Sequence, residues 1–514
     1  MKRFFGKILE FFGSRRFSSG AVTALVIMLV LVANIIIYTL ASVFGLYISA
    51  KATYDYSIGG SLDSLFESLN AAGDKKVTVT FCMPRESLRT HSTGQYVLKT
   101  AEEYSERYSF IEIKYINLLT KMDEDGRIVD LSKYEKDLRG NDTHLRTHSI
   151  IFSTGEGAEE NYTVLTDTYT SIGFADFFSL DSNRQAFAYV GEERFGSMVA
   201  WVLNREHKVA YFTMNHNETI DVNFANLLTS AGYYVDANGL DLGEVDVPDD
   251  AGVVVISNPT HDFRRGKEGS GVTSEIERLG AYMERGGSLY VAIDPLTERL
   301  TNLEDFIAEW GIEISGGEGE YGYSRDIVYN SVDSTNLSST TFLVGYADGE
   351  MGSRVLDSFK SYKNKSVLIT DAAMLKIKSA LGAEPLLVTS DDAVAKRQNK
   401  TVTENESLAV AAASVRTMSS GKTSSVVLIP SVLLTNADVL VFNGYTNKEF
   451  VYSVFDNLLG AHTALYGTRS VIYDNGVVEN LTQGTARALT VVLFTLPAIV
   501  AVVGAVITIR RKYR

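Results

Sequence analysis

His216 and Glu218 stand two residues apart directly after an apolar run, residues 208–214 (KVAYFTM), and Asp294 follows another, residues 288–293 (SLYVAI). An imidazole beside a carboxylate can move a proton, and two carboxylates that converge on one cleft are what glycoside cleavage uses. Asn215, Asn217 and Asn258 flank these groups, so the candidate cleft for a ligand or an interaction is Asn215, His216, Asn217, Glu218, Asn258 and Asp294. The plainer reading is structural: Asn217 and Glu218 precede a helix, where such side chains cap the first turn or hold the loop. No nucleophile and orienting base can be paired with them, which favours structure or binding over catalysis.

The remaining motifs exclude more than they offer. Cys82 is the single cysteine, so no disulfide forms within the chain and no Cys-x-x-Cys redox pair exists. It ends a strand-like run and reads as a buried structural thiol. Gly317-Glu318-Gly319-Glu320-Tyr321-Gly322 has dinucleotide-type spacing, yet it is acidic and no helix follows to face a pyrophosphate. Gly421-Lys422-Thr423 resembles the end of a phosphate-binding loop, but Arg416 stands where its first glycine should be and a strand follows, so a hairpin turn is expected. His144 and His148 have helical metal-ligand spacing in a loop-like context without the intervening Glu, and they read as a solvated pair. No Gly-x-Ser-x-Gly elbow is present. Neither a metal nor a cofactor is expected.

These residues must be positioned by the elements around them. Residues 61–69 read as a helix, 76–81 (KVTVTF) as a strand, 97–108 as an amphipathic helix and 110–116 as a second strand, a βαβ-type unit with edge strands expected at 161–165 and 186–190. From residue 208 apolar strands alternate with helices: strands at 208–214, 233–237, 253–256 and 288–293, helices at 220–230 and 274–285, stopped by Gly232 and by Gly286-Gly287. That alternation means a parallel sheet covered on both faces. Ligands bind such sheets outside the carboxyl ends of the strands, where the six cleft residues fall. After residue 322 strands are expected at 366–370, 385–389 and 424–430, a polar loop at 391–406, and a helix at 448–458.

The ends differ in kind. Residues 17–50 carry no Asp, Glu, Lys or Arg, and residues 22–40 (VTALVIMLVLVANIIIYTL) are long enough to span a bilayer; residues 488–509 (ALTVVLFTLPAIVAVVGAVITI) form a second charge-free run. Asn34, in mid-span, could hydrogen-bond a neighbouring membrane helix. Residues 1–50 hold five basic and one acidic side chain and residues 487–514 five basic, so the net charge of −15 leaves −24 on residues 51–486. Basic flanks stay cytoplasmic, which places both termini inside and the acidic block outside. An acidic block of this size argues against nucleic acid as a partner. Cytoplasmic ends this short cannot fold into an ATPase.

The order of these features resembles the GldG-like auxiliary subunits of ABC transport systems. The resemblance rests on the anchor, on residues 54–69 before Val77-Thr78-Val79, and on Val209-Ala210-Tyr211-Phe212-Thr213 leading to Asn215-His216-Asn217-Glu218. It continues through Arg285-Gly286-Gly287-Ser288 before Asp294-Pro295, Asn443-Gly444, and the final apolar helix with Arg510-Arg511-Lys512. The family's usual loop is Gly-His-Gly-Glu; here asparagines replace both glycines. The resemblance implies an α/β fold, a membrane-anchored ectodomain with an N-terminal βαβ-type unit and a flavodoxin-like, class I glutamine amidotransferase-like parallel-sheet domain, flanked by two transmembrane helices. Amidotransferase chemistry is excluded because its cysteine nucleophile is missing from that domain.

The expected organisation is a basic amphipathic segment at 1–16, a transmembrane helix at 17–50, and extracytoplasmic domains at 51–204 and 205–486. A second transmembrane helix at 487–509 and a basic tail at 510–514 complete it. The expected function is that of a non-enzymatic, extracytoplasmic auxiliary subunit in the cell membrane, acting with a separate ABC ATPase and a multi-span permease. The alternative is a membrane-tethered glycan-active enzyme, or a module binding an envelope glycan, peptide or small ligand through the His216/Glu218/Asp294 cleft.

Overall fold

Period-two alternation and one amphipathic helix build the first layer. A computed structural model describes residues 57–473 apart from 72, 167–172, 181–184, 267–273, 330–339, 360–365, 405, 432 and 462–464. The described residues belong to one compact unit, Tyr56–Arg514. Within the first layer the chain runs α1 (Asp63–Leu69), β1 (Val77–Phe81), α2 (Arg85–Thr90), α3 (Gly94–Arg107), β2 (Ile111–Asn117), β3 (Met122–Asp123), β4 (Ile150–Thr154) and β5 (Asn161–Leu165). The sheet order is β3-β2-β1-β4-β5, with β1 and β2 parallel across a helical crossover, as a βαβ unit requires. Cys82 follows β1, 1% exposed, and burial pushes its thiol pKa up to about 12. The strand expected at 161–165 is an edge of this sheet, whereas β6 (Phe178–Leu180) and β7 (Ala186–Tyr189) form a separate small sheet.

Next comes α4 (Gly191–Leu203), a helix buried along almost its whole length and packed on α3, β4 and β5. The second layer follows: β8 (Val209–Thr213), α5 (Val222–Ser230), β9 (Tyr234–Leu240), β10 (Ala251–Ser257), α6 (Glu275–Glu284) and β11 (Ser288–Ala292). Val253, Val254, Val255 and Ile256 of β10 are all fully buried. Each such side chain contributes roughly 1.5–3 kcal/mol of transfer free energy, which favours β10 in the middle of the five parallel strands. Gly232 and Gly286 end α5 and α6 at φ +94° and +92°, conformations that a Cβ would strain.

The remainder is α7 (Thr301–Glu309), β12 (Ile312–Ile314), the hairpin β13 (Gly316–Gly319) and β14 (Gly322–Arg325), β15 (Ile327–Tyr329), β16 (Thr341–Tyr346), α8 (Glu350–Asp357), β17 (Val367–Thr370), β18 (Leu375–Ile377), β19 (Ala383–Val388), β20 (Val394–Arg397), β21 (Lys400–Glu404), β22 (Ala409–Thr417), β23 (Thr423–Ile429), α9 (Ala437–Leu440), α10 (Asn447–Asn457) and β24 (Val471–Ile472). The glycine signature at 317–322 is thus a β-hairpin, and Gly421 turns the β22–β23 hairpin with φ +78°. The polar segment at 391–406, expected as a loop, is instead the hairpin β20–β21. Gln398 and Asn399 supply the two positive φ values, +46° and +68°, that its tight turn needs.

The result is a mixed α/β structure with parallel and antiparallel sheets. In the 11-stranded main sheet β9, β8, β10, β11 and β23 lie side by side and parallel, so by order of appearance these five strands run 2-1-3-4-5. Beyond β23 the sheet turns antiparallel through β22, β19, β16 and β17. One hydrophobic cluster joins Phe66, Tyr104 and Phe195 of the first layer to Phe212, Phe224 and Phe455. A second fills the opposite face of the main sheet around Val254, Leu279, Val291 and Phe306.

The expected membrane segments at 17–50 and 487–509, with Asn34 and the basic ends, lie outside the described residues. Among the described residues no helix is long and apolar enough to cross a membrane.

Candidate functional site at the carboxyl edge of the main sheet

The strand order reverses between β8 and β10, and the loops leaving these two strands carry five of the six candidate residues. In a sheet of this kind the crevice between such loops is the usual ligand position. Here the two loops close on each other. The N–H groups of Thr260 and His261 donate to the carbonyl of His216 at 2.9 and 3.0 Å, and Thr219 N–H donates to Ser257 O at 3.1 Å. Asn217 Nδ2 donates to Thr260 Oγ1 at 2.7 Å, and Asn215 Nδ2 to Asp241 Oδ2 at 2.6 Å.

Such tight turns need left-handed backbone. Asn215, Asn217 and Asn258 have φ of +75°, +58° and +53°. Asparagine is the residue that best tolerates this region after glycine, so all three positions suit the side chain they carry.

His216 is 4% exposed and is the hub of the site. Its ring lies flat on Phe263, with centroids 3.7 Å apart and planes within 8°. Nδ1 is 3.2 Å from Glu218 Oε1, and Nε2 is 3.1 Å from Glu275 Oε2. Both partners are carboxylates, so both ring nitrogens must donate, which only the imidazolium does. Burial alone would depress the His216 pKa; the hydrogen bonds to Glu218 and Glu275, with their charges, outweigh it and raise the pKa above 6.5.

The two carboxylates are also held elsewhere. Glu218 Oε2 accepts the His216 backbone N–H at 2.8 Å. Glu275 accepts the backbone N–H of Arg264 at 2.6 Å and its Nε and Nη2 at 3.1 and 2.9 Å. Burial works against both charges, yet these bonds lower both pKa values below 4.5. The network is therefore two carboxylates, one imidazolium and one guanidinium, with both imidazolium N–H groups spent inside it and the Arg264 side chain 58% exposed at its rim.

Asp294 and Asn258 form a neighbouring pair. Asn258 Oδ1 accepts the Asp294 N–H at 3.3 Å, and Asp294 Oδ1 accepts the N–H of Leu296 at 2.8 Å. Arg325, 2% exposed, supports this turn from behind: its Nη1 donates to Asp294 O at 2.7 Å, and its Nη2 to Glu298 O at 3.3 Å and Glu304 Oε1 at 2.7 Å. The helix after β8 is capped by Asp221, whose side chain accepts from Asn223 N–H at 2.7 Å, while Glu218 holds the loop.

Sequence reasoning missed Phe263, Arg264, Glu275 and Arg325. The one legible signal was Ser274-Glu275 at a helix start, where Ser274 caps α6. His144 has φ +51° in irregular chain, so it and His148 do not share a helix face; among the described residues no group of three or more His, Cys, Asp or Glu could hold a metal ion.

No protein-family model and no curated protein matches the chain. Solved structures similar to part of it include the N-terminal domain of mmIFT52 (13% identity, TM-score 0.34, covering 48% of this chain and 96% of that one). A thua-like protein from Bacteroides uniformis is 14% identical, with TM-score 0.28, covering 48% of this chain and 89% of that one. A cytoplasmic protein from Salmonella typhimurium is 10% identical, with TM-score 0.29, covering 49% of this chain and 98% of that one. Matches at this level name neither a family nor an activity.

Proposed function

We propose that this chain is a membrane-anchored, non-enzymatic auxiliary subunit of a GldG-like ABC transport system, with a flavodoxin-like main domain held outside the membrane and a separate ATPase and permease as partners. The reading is supported by the two charge-free segments with basic flanks, the acidic charge between them, and the order of motifs. The 2-1-3-4-5 order of the parallel strands supports the flavodoxin-like description.

One observation carries the non-enzymatic part. The crevice at the strand-order reversal is filled by the chain's own groups: His216 bonds a carboxylate through each ring nitrogen, and its carbonyl takes two N–H donors from the facing loop. A glycan-cleaving pair needs one carboxyl group with a raised pKa to protonate the leaving oxygen. Glu218 is instead lowered by its hydrogen bonds to His216, despite burial. An interaction scaffold, whose loops are fixed rather than reactive, fits these groups.

Purifying the full chain from its native membrane in mild detergent should recover a polypeptide with ABC ATPase motifs and a multi-span permease. Recovery of the chain alone would overturn the proposal. Glu218→Gln and Asp294→Asn should leave envelope-glycan turnover unchanged; a loss in either would restore the enzymatic alternative.

A further inference from the structure

The first sheet ends at β5 and the main sheet at β9, and among the described residues each of these strands lacks a neighbour on one side. A cavity of about 280 Å³ lies between them. Its wall takes Tyr162, Thr163 and Val164 in succession from β5, and Tyr233, Tyr234 and Val235 from the start of β9. Successive side chains of a strand point to opposite faces, so a space that meets three in a row looks onto the strand's edge. The cavity is the gap between two open sheet edges, flanked by Trp201 of α4 and by the segment that carries Asp142 and His144.

The ladders fix which backbone groups face this gap. Cys82 N–H donates to Ser149 O at 3.0 Å, so in the antiparallel β1–β4 pair the odd-numbered residues of β4 bond to β1. Ile150, Phe152 and Thr154 are then turned to β5, where they oppose Leu165, Thr163 and Asn161. The N–H and C=O groups of Tyr162 and Val164 consequently point away from β4, toward the gap. On the other wall Tyr234 N–H donates to Lys208 O at 2.9 Å, which turns the backbone groups of Val235 away from β8. Among the described residues, none of these outward groups of Tyr162, Val164 and Val235 has a hydrogen-bond partner. Such a row of unspent donors and acceptors is a template for a further strand.

We propose that this gap takes one extended peptide segment of a partner protein, which adds as a strand to β5 through Tyr162 and Val164 and meets Val235 on its other side. In strand addition main-chain bonds supply the affinity and alternate side chains the selectivity. The wall holds two carboxylates, Asp137 and Asp142, and no Lys or Arg. Asp137 is spent on the Tyr234 hydroxyl and on Asn141. Asp142 is open to solvent, its side chain 63% exposed and only loosely paired with Lys136 at 3.6 Å. The occupant therefore carries a basic side chain toward Asp142 and a small apolar one toward Trp201, an alternation that an extended chain delivers. This site is separate from the His216 network, and its occupancy does not depend on the transport reading.

The test uses the full chain in mild detergent and a capped hexapeptide alternating lysine and valine. Binding should be saturable and one-to-one by fluorescence polarisation, and hydrogen exchange should slow at residues 161–166 and 233–236 but not at 215–219. The fully backbone N-methylated hexapeptide keeps the side chains and charge but loses its donors, and it should bind at least about tenfold more weakly. A hexapeptide alternating glutamate and valine should bind about threefold or more weakly than the lysine peptide, the scale of an exposed ion pair. Val164→Pro removes one outward N–H without touching the β4 ladder and should also weaken binding at least about tenfold. Thr229→Trp, which fills the gap from a half-buried position, should do the same with the thermal melt retained; it keeps the test decisive if the proline variant does not fold. Absence of saturable binding at millimolar peptide, equal binding of the N-methylated peptide, tighter binding of the acidic one, or protection confined to other segments would each overturn the proposal. Protection of 161–166 that grows with protein concentration alone would make the occupant a second copy of this chain and overturn the assignment to a partner.

Discussion

At the residue scale His216 is the most consequential side chain of the sheet edge. Truncating it leaves Glu218 and Glu275, each side chain 4% exposed, as buried charges without their central partner. Breaking a buried pair from one side costs about 3–5 kcal/mol, and His216→Ala should lose that much in denaturant unfolding. The loss should depend on pH. The His216 pKa is raised, so its contribution is complete below 6.5 and vanishes as pH rises through the raised folded value. Glu218 and Glu275 are lowered, so theirs is complete above 4.5 and vanishes as pH falls through the lowered values. The stability gap between wild type and His216→Ala should therefore peak between pH 4.5 and 6.5 and narrow toward alkaline pH; a gap that widens there would refute the imidazolium assignment. The backbone beside it makes its own demand. With Asn217 at φ +58°, Asn217→Gly should be close to neutral and Asn217→Val should cost about 1–2 kcal/mol by thermal melting.

At the element scale, what was legible followed the strength of each local signal. The strands around 77–81, 209–213 and 288–292 and the helices at 222–230 and 275–284 declare themselves through periodicity, caps and glycine stops. Three kinds of element did not. Helix α4 is buried on nearly every face, so it has no polar stripe to reveal a 3.6-residue period. Strand β22 begins Ala-Val-Ala-Ala-Ala, a composition poor in strand propensity, and tertiary packing overrides that preference because Val410, Ala411, Ala412 and Ala413 are all fully buried between layers. The β20–β21 hairpin is polar because only part of it faces a core. The six candidate residues were legible as strand ends, but the facing partners of His216 and Asn217 come from a loop and a helix 43 to 59 positions on, beyond any local pattern. The same packing density makes α4 sensitive. A Cβ on Gly196 would sit 2.5 Å from Leu62 Cδ1 and 2.7 Å from the Tyr104 hydroxyl, so Gly196→Val should overpack the α1–α3–α4 contact and cost at least about 1–3 kcal/mol. Unchanged unfolding in that variant would mean the helices are less closely packed than described.

At the scale of the whole molecule, two features tie distant parts together. The first is the charge partition, on which the proposed topology rests: with −24 between two basic ends, a cysteine introduced at the exposed Tyr321 should react with an impermeant maleimide on intact cells, while buried Cys82 stays silent. Labelling only after lysis would reverse the topology. The second is the Lys448–Glu193 pair, which pins α10 to a helix 255 positions earlier at 2.8 Å. Phe450, Val451, Tyr452, Val454 and Phe455 of α10 are fully buried, as are the polar Asn447 and Ser453, so the pair sits at one end of a dry seam of mixed character. Burial opposes both charges, but their attraction and hydrogen bonding lower the Glu193 pKa and raise that of Lys448, which keeps them ionised together. Two charges that depend on each other should behave non-additively. Lys448→Met and Glu193→Leu should each lose about 3–5 kcal/mol, because each strands the other charge in the seam. The double variant strands neither charge, so it should recover a large part of that loss. A double-mutant cycle read by urea unfolding gives the coupling directly; additive losses would mean that the pair is solvated in solution and that packing alone holds α10 in place.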